Sequence, residues 1–418
     1  MLQRRTFIVG GHITKFIGSR HPDFIWKKHP DFGVKENPSV EDYIQEAVSG
    51  ALRETGCTGE QVEKAWIGNF AGELFSKQGH LGAAVVGCDP GLMNKPVMRV
   101  EGACASGGLA FSCAVESVQA GTDITLVAGA EVQTTASARE GGAFLARAAH
   151  FSRQSHIDDF LFPALFARRI KACKEAFGVT DEDLGALTAK AYGNANLNPL
   201  AHMQAVKMDL ATASVASKAN PNFLGNEELH PYLRLSDCSQ VSDGGAAMIV
   251  VSEEGLRKLG KTEADCVEVL SVGHSTGNLW EDSDPLELGT TASAAQKAYA
   301  GAGVSASDIG VAEVHDCFTI TEALMCEALG FAPRGEGVNL IRDGTLHIDG
   351  ALPVNTGGGL VGFGHPVGAT GVKQVLEVMN QMKGKCGDYQ MKSQPAFGAT
   401  ANMGGDDKTA VVSVLKNL

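Results

Sequence analysis

No Cys-x-x-Cys pair occurs among the ten cysteines of this 418-residue chain, and none stands at zinc-finger spacing from histidines. Scattered thiols of this kind exclude a disulfide scaffold and fit a reducing compartment. Long apolar runs are missing as well: no stretch approaches the roughly eighteen residues of a membrane span. The opening Met-Leu-Gln-Arg-Arg-Thr-Phe-Ile-Val lacks the apolar region and cleavage site of a secretory signal, and Lys416-Asn417-Leu418 is not the Ser-Lys-Leu peroxisomal ending. A cytoplasmic location is the expectation. Basic residues are in deficit, 35 against 48 acidic, for a net charge of −13. That balance argues against nucleic acid as a partner and against a basic membrane-binding surface. Gly-x-x-x-x-Gly-Lys-Ser/Thr is absent, and no Gly-x-Gly-x-x-Gly follows the first strand-like run. Nucleotide hydrolysis and dinucleotide redox chemistry therefore lack their phosphate cradles, although Gly357-Gly358-Gly359 alone is glycine-rich enough to hold one.

What is present reads as a globular enzyme, with 44% hydrophobic and 20% charged residues and enough length for two or three packed layers. Its 51 glycines imply many tight turns and close backbone approaches. The chain also repeats itself. Thr6–Val9 leads into Gly10-Gly11-His12, and Val267–Val272 leads into Gly273-His274. Each is followed by an alanine-rich helical pattern, Val40–Thr55 and Thr290–Ala302, and then by a strand, Ala65–Phe70 and Ala312–Phe318. Each half then reaches a glycine-rich turn opening a helix, at Cys104 and at Gly364-His365-Pro366, an offset of 261 (365 minus 104). Repetition across several element types implies two similar β/α halves with parallel strands joined by helices. The halves are placed at 1–265 and 266–418. Within the first lies an insert at about 132–236, between strands Thr125–Gly129 and Ala246–Val251, which reads as a helical cap over one end of the sheets. Arg147, Arg153, Arg168, Arg169, Lys171, Lys174, Lys190 and Lys207 concentrate basic charge there, either as a solvated face or as partners for a phosphate-bearing ligand.

Three turns carry chemistry. Cys104 stands among small residues, after the short strand Lys95–Val100 and before the helical run Leu109–Ala120. The positive end of that helix favours thiolate over thiol, and small neighbours admit a carbonyl. The second turn is His315-Asp316-Cys317-Phe318. The third is Gly362 to Gly371, in which Pro366 fixes the chain after His365 and glycines leave room for a ligand. If equivalent loops leave equivalent strand ends, two thiols and two imidazoles share one cavity, and imidazole beside cysteine generates a reactive thiolate near neutral pH. A metal set from His315, Asp316, Cys317 and His365 lacks a recognised zinc pattern, and no metal is expected.

Glu101-Gly-Ala-Cys-Ala-Ser-Gly-Gly, His315-Asp-Cys-Phe, Asn355-Thr-Gly-Gly-Gly, Gly364-His-Pro-Val-Gly-Ala-Thr-Gly and Asn402-Met-Gly-Gly resemble, in order, the motifs of the thiolase superfamily, and Asp237 to Ala247 extends the likeness where the insert rejoins. Within it the His-Asp-Cys-Phe motif is similar to that of sterol-carrier-protein-type thiolases and acetyl-CoA acetyltransferases. The resemblance implies an α/β fold of two duplicated halves in a layered α-β-α-β-α arrangement with a loop-domain insert. It implies an acyltransferase of lipid or fatty acid metabolism that condenses acetyl-CoA with an acyl-CoA or cleaves a 3-ketoacyl-CoA. Cys104 would form the acyl-enzyme with help from His365. Asn402 stands where most thiolases carry their second cysteine, and an amide cannot shuttle a proton. The sterol-carrier resemblance gives that role to Cys317. His315 and His365 would serve the enolate, and the backbone N–H groups of Cys104 and Gly404 the tetrahedral oxyanion. Acyl-CoA and coenzyme A enter as substrates without a separate cofactor, and a homodimer or dimer of dimers is implied. The competing readings are a decarboxylating ketosynthase-like enzyme, which has no need of Cys317, and a non-catalytic thiolase-like scaffold, which has no need of the four groups together.

Overall fold

The computed structural model describes residues 2–418. Nine strands form one sheet, β1 Thr6–Ile13, β2 Lys64–Gly68, β3 Val97–Val100, β4 Ile124–Glu131, β5 Gly244–Ser252, β6 Val267–Thr276, β7 Ala312–Val314, β8 Phe397–Gly404 and β9 Thr409–Asn417. Their order is β3-β2-β4-β5-β1-β6-β9-β8-β7. Eight helices have eight or more residues: α1 Val40–Thr55, α2 Ser106–Gln119, α3 Ala138–Leu145, α4 Leu161–Phe177, α5 Asp181–Ala195, α6 Gly289–Ala302, α7 Thr319–Ala328 and α8 Thr370–Met382. Local sequence sets several ends. Ser39 and Asp42 close a reciprocal capping box on α1, which ends at Gly56 with φ +71°.

The duplication is legible strand by strand. β4 lies parallel to β2 and antiparallel to β5, which lies antiparallel to β1. β8 lies parallel to β7 and antiparallel to β9, which lies antiparallel to β6. Each half is therefore mixed rather than wholly parallel as the sequence suggested, because the last strand of each returns beside its neighbour. Even β3 has an echo: Val97 pairs with Ala65, and Val354 makes a single parallel bridge to Ala312. The halves meet where β1 pairs with β6 over Thr6–Val269, Phe7–Glu268 and Ile8–Val267. Phe7 faces its own equivalent at the 261 offset, so a pseudo-twofold passes between them. Both strands are bulged at equivalent places, between Ile8 and Gly10 and between Val269 and Ser271.

Helices α2 and α8 occupy the middle layer, touching strands of both halves, while α1 covers the first half and α6 the second. This gives the α-β-α-β-α layering. Separate apolar cores fill the layers: Val48, Ile67 and Ile249 under α1, Phe111, Val127 and Val372 around the central helices, and Ala298, Val314 and Val412 under α6. The segment between β4 and β5 contributes α3, α4 and α5, and its Phe166, Ile170 and Leu187 join the core of the second half.

The two central helices cross through glycine. A Cβ at Gly371 would stand 2.2 Å from the Gly108 nitrogen, and one at Gly107 would stand 2.8 Å from the Gly368 oxygen. This explains why α2 begins at Ser106 and not near Leu109: Gly107 and Gly108 read as a turn but are helical residues at a crossing. The glycines after Pro366 likewise serve packing rather than ligand access, since a Cβ at Gly368 would lie 2.6 Å from the carbonyls of Gly68 and Ala130. Gly371→Ala is expected to lower the unfolding free energy by about 3 kcal/mol in urea titrations, because backbone on both sides must shift. Gly193→Ala, in α5 with nothing within 4 Å of the new Cβ, is the control, expected to hold or gain stability.

Candidate active site

The turn after β3 presents Cys104. Ala103 adopts φ +52°, a left-handed conformation costly for a residue with a Cβ. The Ser106 hydroxyl holds it, donating to the Ala103 carbonyl (2.6 Å) and accepting the Gly102 N–H (3.1 Å). Cys104 thus precedes α2. One sulfur or ring-nitrogen atom each from Cys104, His315 and His365 lies within 4.8 Å of the other two. The two imidazoles meet edge to face with centroids 5.0 Å apart. Cys317 lines the same cavity of about 470 Å³ as Cys104 and His365. The two thiols that sequence separates by more than two hundred positions do share one pocket, although Cys317 stands outside the tight trio.

Hydrogen bonds fix the two imidazoles in opposite senses. The Thr370 hydroxyl donates to the Pro366 carbonyl (2.9 Å), so it accepts from Nδ1–H of His365 (2.7 Å), leaving the Nε2 lone pair free. The Asn402 amide donates from Nδ2 to Nδ1 of His315 (3.2 Å), which puts the proton of that ring on Nε2. That Nε2 is buried without a protein partner. His365 is therefore a proton acceptor and His315 a proton donor. These tautomers rest on the bonding network. A donor N–H on His315 also makes the trio a poor cation site.

Asn402 was the residue that sequence reasoning set aside. Its amide also donates to the Cys104 carbonyl (3.2 Å), and its Oδ1 accepts the Gly108 N–H (3.0 Å). One side chain on β8 thereby ties the nucleophile turn, the start of α2 and His315 together. The expected strand Ala312–Phe318 stops at Val314 for a related reason. Asp316 turns away from the cavity to accept the N–H groups of Leu360 (2.6 Å) and Val361 (3.4 Å), so the four-residue metal set does not assemble. Behind this loop, buried pairs Lys190–Glu322 and Lys373–Glu313 (2.8 Å each) tie α5 to α7 and α8 to β7. Ser239 N–H donates to the Cys317 carbonyl (2.9 Å), stitching the end of the insert to the same loop.

Burial rules the electrostatics. It pushes the Cys104 thiol up to about 12, against the Gly405 N–H and its own N–H, which favour thiolate. Desolvation thus opposes the thiolate that the helix end and the two backbone N–H groups favour. Burial also takes His365 down to about 3 and His315 well below the usual imidazole range, the latter helped by His365. Cys317 is held well above the ordinary thiol value by burial and then by Cys104. The N–H beside the sulfur and on the cavity wall belongs to Gly405, one residue beyond the Gly404 named from sequence, which lies in β8.

The basic residues of the insert are mostly spent on the fold. Arg169 is fully buried on Asp406 (2.7 Å) and two carbonyls, Lys190 on Glu322, Lys171 on Glu228 (2.6 Å) and Lys174 on Asp181 (2.8 Å). Arg168 reaches Asp406 at 3.3 Å. Among the described residues, Arg147, Arg153 and Lys207 have no carboxylate partner: Arg147 lies over Phe144 and Phe151, Arg153 donates to the Trp280 carbonyl, and Lys207 to Asn196. No helix among the described residues is long and apolar enough to cross a membrane.

A neutral resting thiol has a kinetic signature. Alkylation of Cys104 by iodoacetamide, followed by peptide mass spectrometry, is expected to keep rising with pH past the free-thiol value of about 8.5. A profile already flat from pH 6 would mean a standing thiolate.

Residues 30–216 match the thiolase N-terminal domain model and residues 271–417 the model for a thiolase C-terminal domain-like region. The acetyl-CoA acetyltransferase of Methanothermobacter thermautotrophicus is 34% identical over 377 residues, 90% of this chain and 94% of that one. Sterol carrier protein 2 of Gallus gallus is 27% identical over 93% of this chain and 67% of its own. A solved structure titled Ltp2-ChsH2(DUF35) aldolase superposes with a TM-score of 0.77 at 22% identity, covering 99% of this chain and 98% of that one. With both halves matched in order and a relative above thirty per cent along nearly the whole length, this chain belongs to the thiolase family.

Proposed function

We propose that the chain is an acyltransferase of the thiolase type, working through an acyl group on Cys104. The observation that carries this reading is the pair of neutral imidazoles beside the sulfur, one presenting a lone pair and the other an N–H. In the cleavage direction the Cys104 proton passes to Nε2 of His365 as the sulfur attacks the 3-keto carbon. The tetrahedral oxyanion takes the N–H groups of Cys104 and Gly405. Breaking the C2–C3 bond leaves an enolate, whose oxygen takes Nε2–H of His315 and the newly protonated His365. A donor so placed is worth about 3 kcal/mol in the transition state.

Cys317 supplies the proton that C2 then needs. Held as a neutral thiol, it rests as an acid, the form cleavage requires; condensation needs it deprotonated. Coenzyme A then gives its proton to the Cys317 thiolate and takes the acyl group, while Cys104 recovers its own from His365. Every step is a proton transfer, an acyl transfer to or from sulfur, or the cleavage or formation of the C2–C3 bond, none of which changes the net oxidation level, so coenzyme A thioesters suffice as substrates, with no redox partner. A decarboxylating enzyme would have no task for Cys317.

Thiolysis of 3-ketoacyl-CoA and acylation by acetyl-CoA test this directly. Cys104→Ala is expected to abolish both, with no acyl adduct in the intact mass. Cys317→Ala is expected to keep the adduct while losing cleavage and condensation by on the order of a thousandfold. Near-full condensation in Cys317→Ala would remove it from the role, and a wild-type chain that forms no adduct would be a scaffold rather than a catalyst.

A further inference from the structure

The cavity over Cys104, of about 470 Å³, is lined mostly by apolar side chains. Besides Phe318 at the base, six phenylalanines line it: Phe24, Phe70, Phe75, Phe160, Phe162 and Phe223. They are a large share of the 18 in the chain. No Asp, Glu, Lys or Arg is among the lining residues. The amides of a pantetheine arm need polar partners, which Ser19, Ser239 and Gln240 offer; the phenylalanine side chains offer none and are left to the acyl group.

Helix α3 shows what that wall is for. Gly141 and Gly142 sit in the middle of an eight-residue helix, where glycine is the poorest residue short of proline. Neither has a positive φ that would require it. Both line the cavity. A Cβ at Gly141 would stand 3.3 Å from the Phe75 ring, and one at Gly142 would stand 3.4 Å from the Phe160 ring and 3.1 Å from the Asp159 carbonyl. Glycine at both positions lets these rings lie against the α3 backbone on the cavity wall. Phe160 and Phe223 are set edge to face at 5.6 Å, as are Phe75 and Phe144 at 5.1 Å, so the wall is itself built from rings at right angles. Such a surface meets another ring in the same way, and a ring loses little rotamer freedom on entering.

Resting on the Cys104 chemistry above, we infer that the preferred substrates are 3-ketoacyl-CoA thioesters whose acyl end is an aromatic ring. With 3-oxo-3-phenylpropanoyl-CoA, the Cys104 sulfur bonds to C3, the C2–C3 bond breaks, and the Cys317 proton goes to C2 to give acetyl-CoA. Coenzyme A then takes the benzoyl group from Cys104, passing its proton to Cys317.

The test compares kcat/KM for 3-oxo-3-phenylpropanoyl-CoA, acetoacetyl-CoA and 3-oxooctanoyl-CoA. The aryl substrate is expected to lead by about tenfold or more, with a benzoyl adduct on Cys104 in the intact mass. Gly142→Leu, which grows into the wall, is expected to lower the ratio of aryl to acetoacetyl kcat/KM by about tenfold; Phe162→Ala, which strips one ring without adding bulk, lowers it too. Preference for acetoacetyl-CoA or the straight chain, or a ratio unmoved in both variants, overturns the inference while leaving the Cys104 chemistry standing. No cleavage of any of the three, together with no adduct from acetyl-CoA, overturns that chemistry itself.

Discussion

The closeness of two helix backbones governs the molecule. Helices α2 and α8 can occupy one layer only because Gly107, Gly108 and Gly371 let peptide groups touch where side chains would otherwise keep them apart. Their crossing sits on the pseudo-twofold marked by Phe7 and Glu268. Cys104 lies just ahead of α2 and His365 just ahead of α8, so a single steric condition brings the Cys104 sulfur and the His365 ring together. Packing this tight has no slack for a methyl group.

Within that frame, symmetry ends at the chemistry. The two halves supply similar strands and helices, yet one imidazole rests on a threonine hydroxyl and the other beneath an asparagine amide. Thr370 and Asn402 each hydrogen-bond one of the two rings, and by that contact they fix which ring presents a lone pair and which an N–H. Burial supplies the other half of the arrangement by disfavouring charge on both thiols and both imidazoles.

Much of this was legible in the sequence, and what was not has a common cause. The span of α1 follows from Ser39, an apolar stripe and Gly56, all local. The repeat shows because equal offsets survive along a chain. The start of α2 was misplaced because Ser106-Gly107-Gly108 needs its partner α8 in view before glycine reads as helix. The strand through Cys317 was overextended because Asp316 is drawn off by Leu360 and Val361, over forty positions away. Arg169 and Lys190 read as surface charge because Asp406 and Glu322 are remote in sequence. Asn402 read as a loss, since its three partners lie 87 to 298 positions away in two separate segments. Local rules reached what neighbours decide; long-range partners decided the rest.

The shared core between the insert and the second half bears on synthesis. Phe166, Ile170 and Leu187 emerge from the ribosome well before α6, α7 and β9, against which they are buried. Until that late stretch arrives, the nascent first half holds an uncovered apolar surface and a Cys104 turn without His365 beside it, which is also still to come. The polypeptide therefore cannot mature one half at a time.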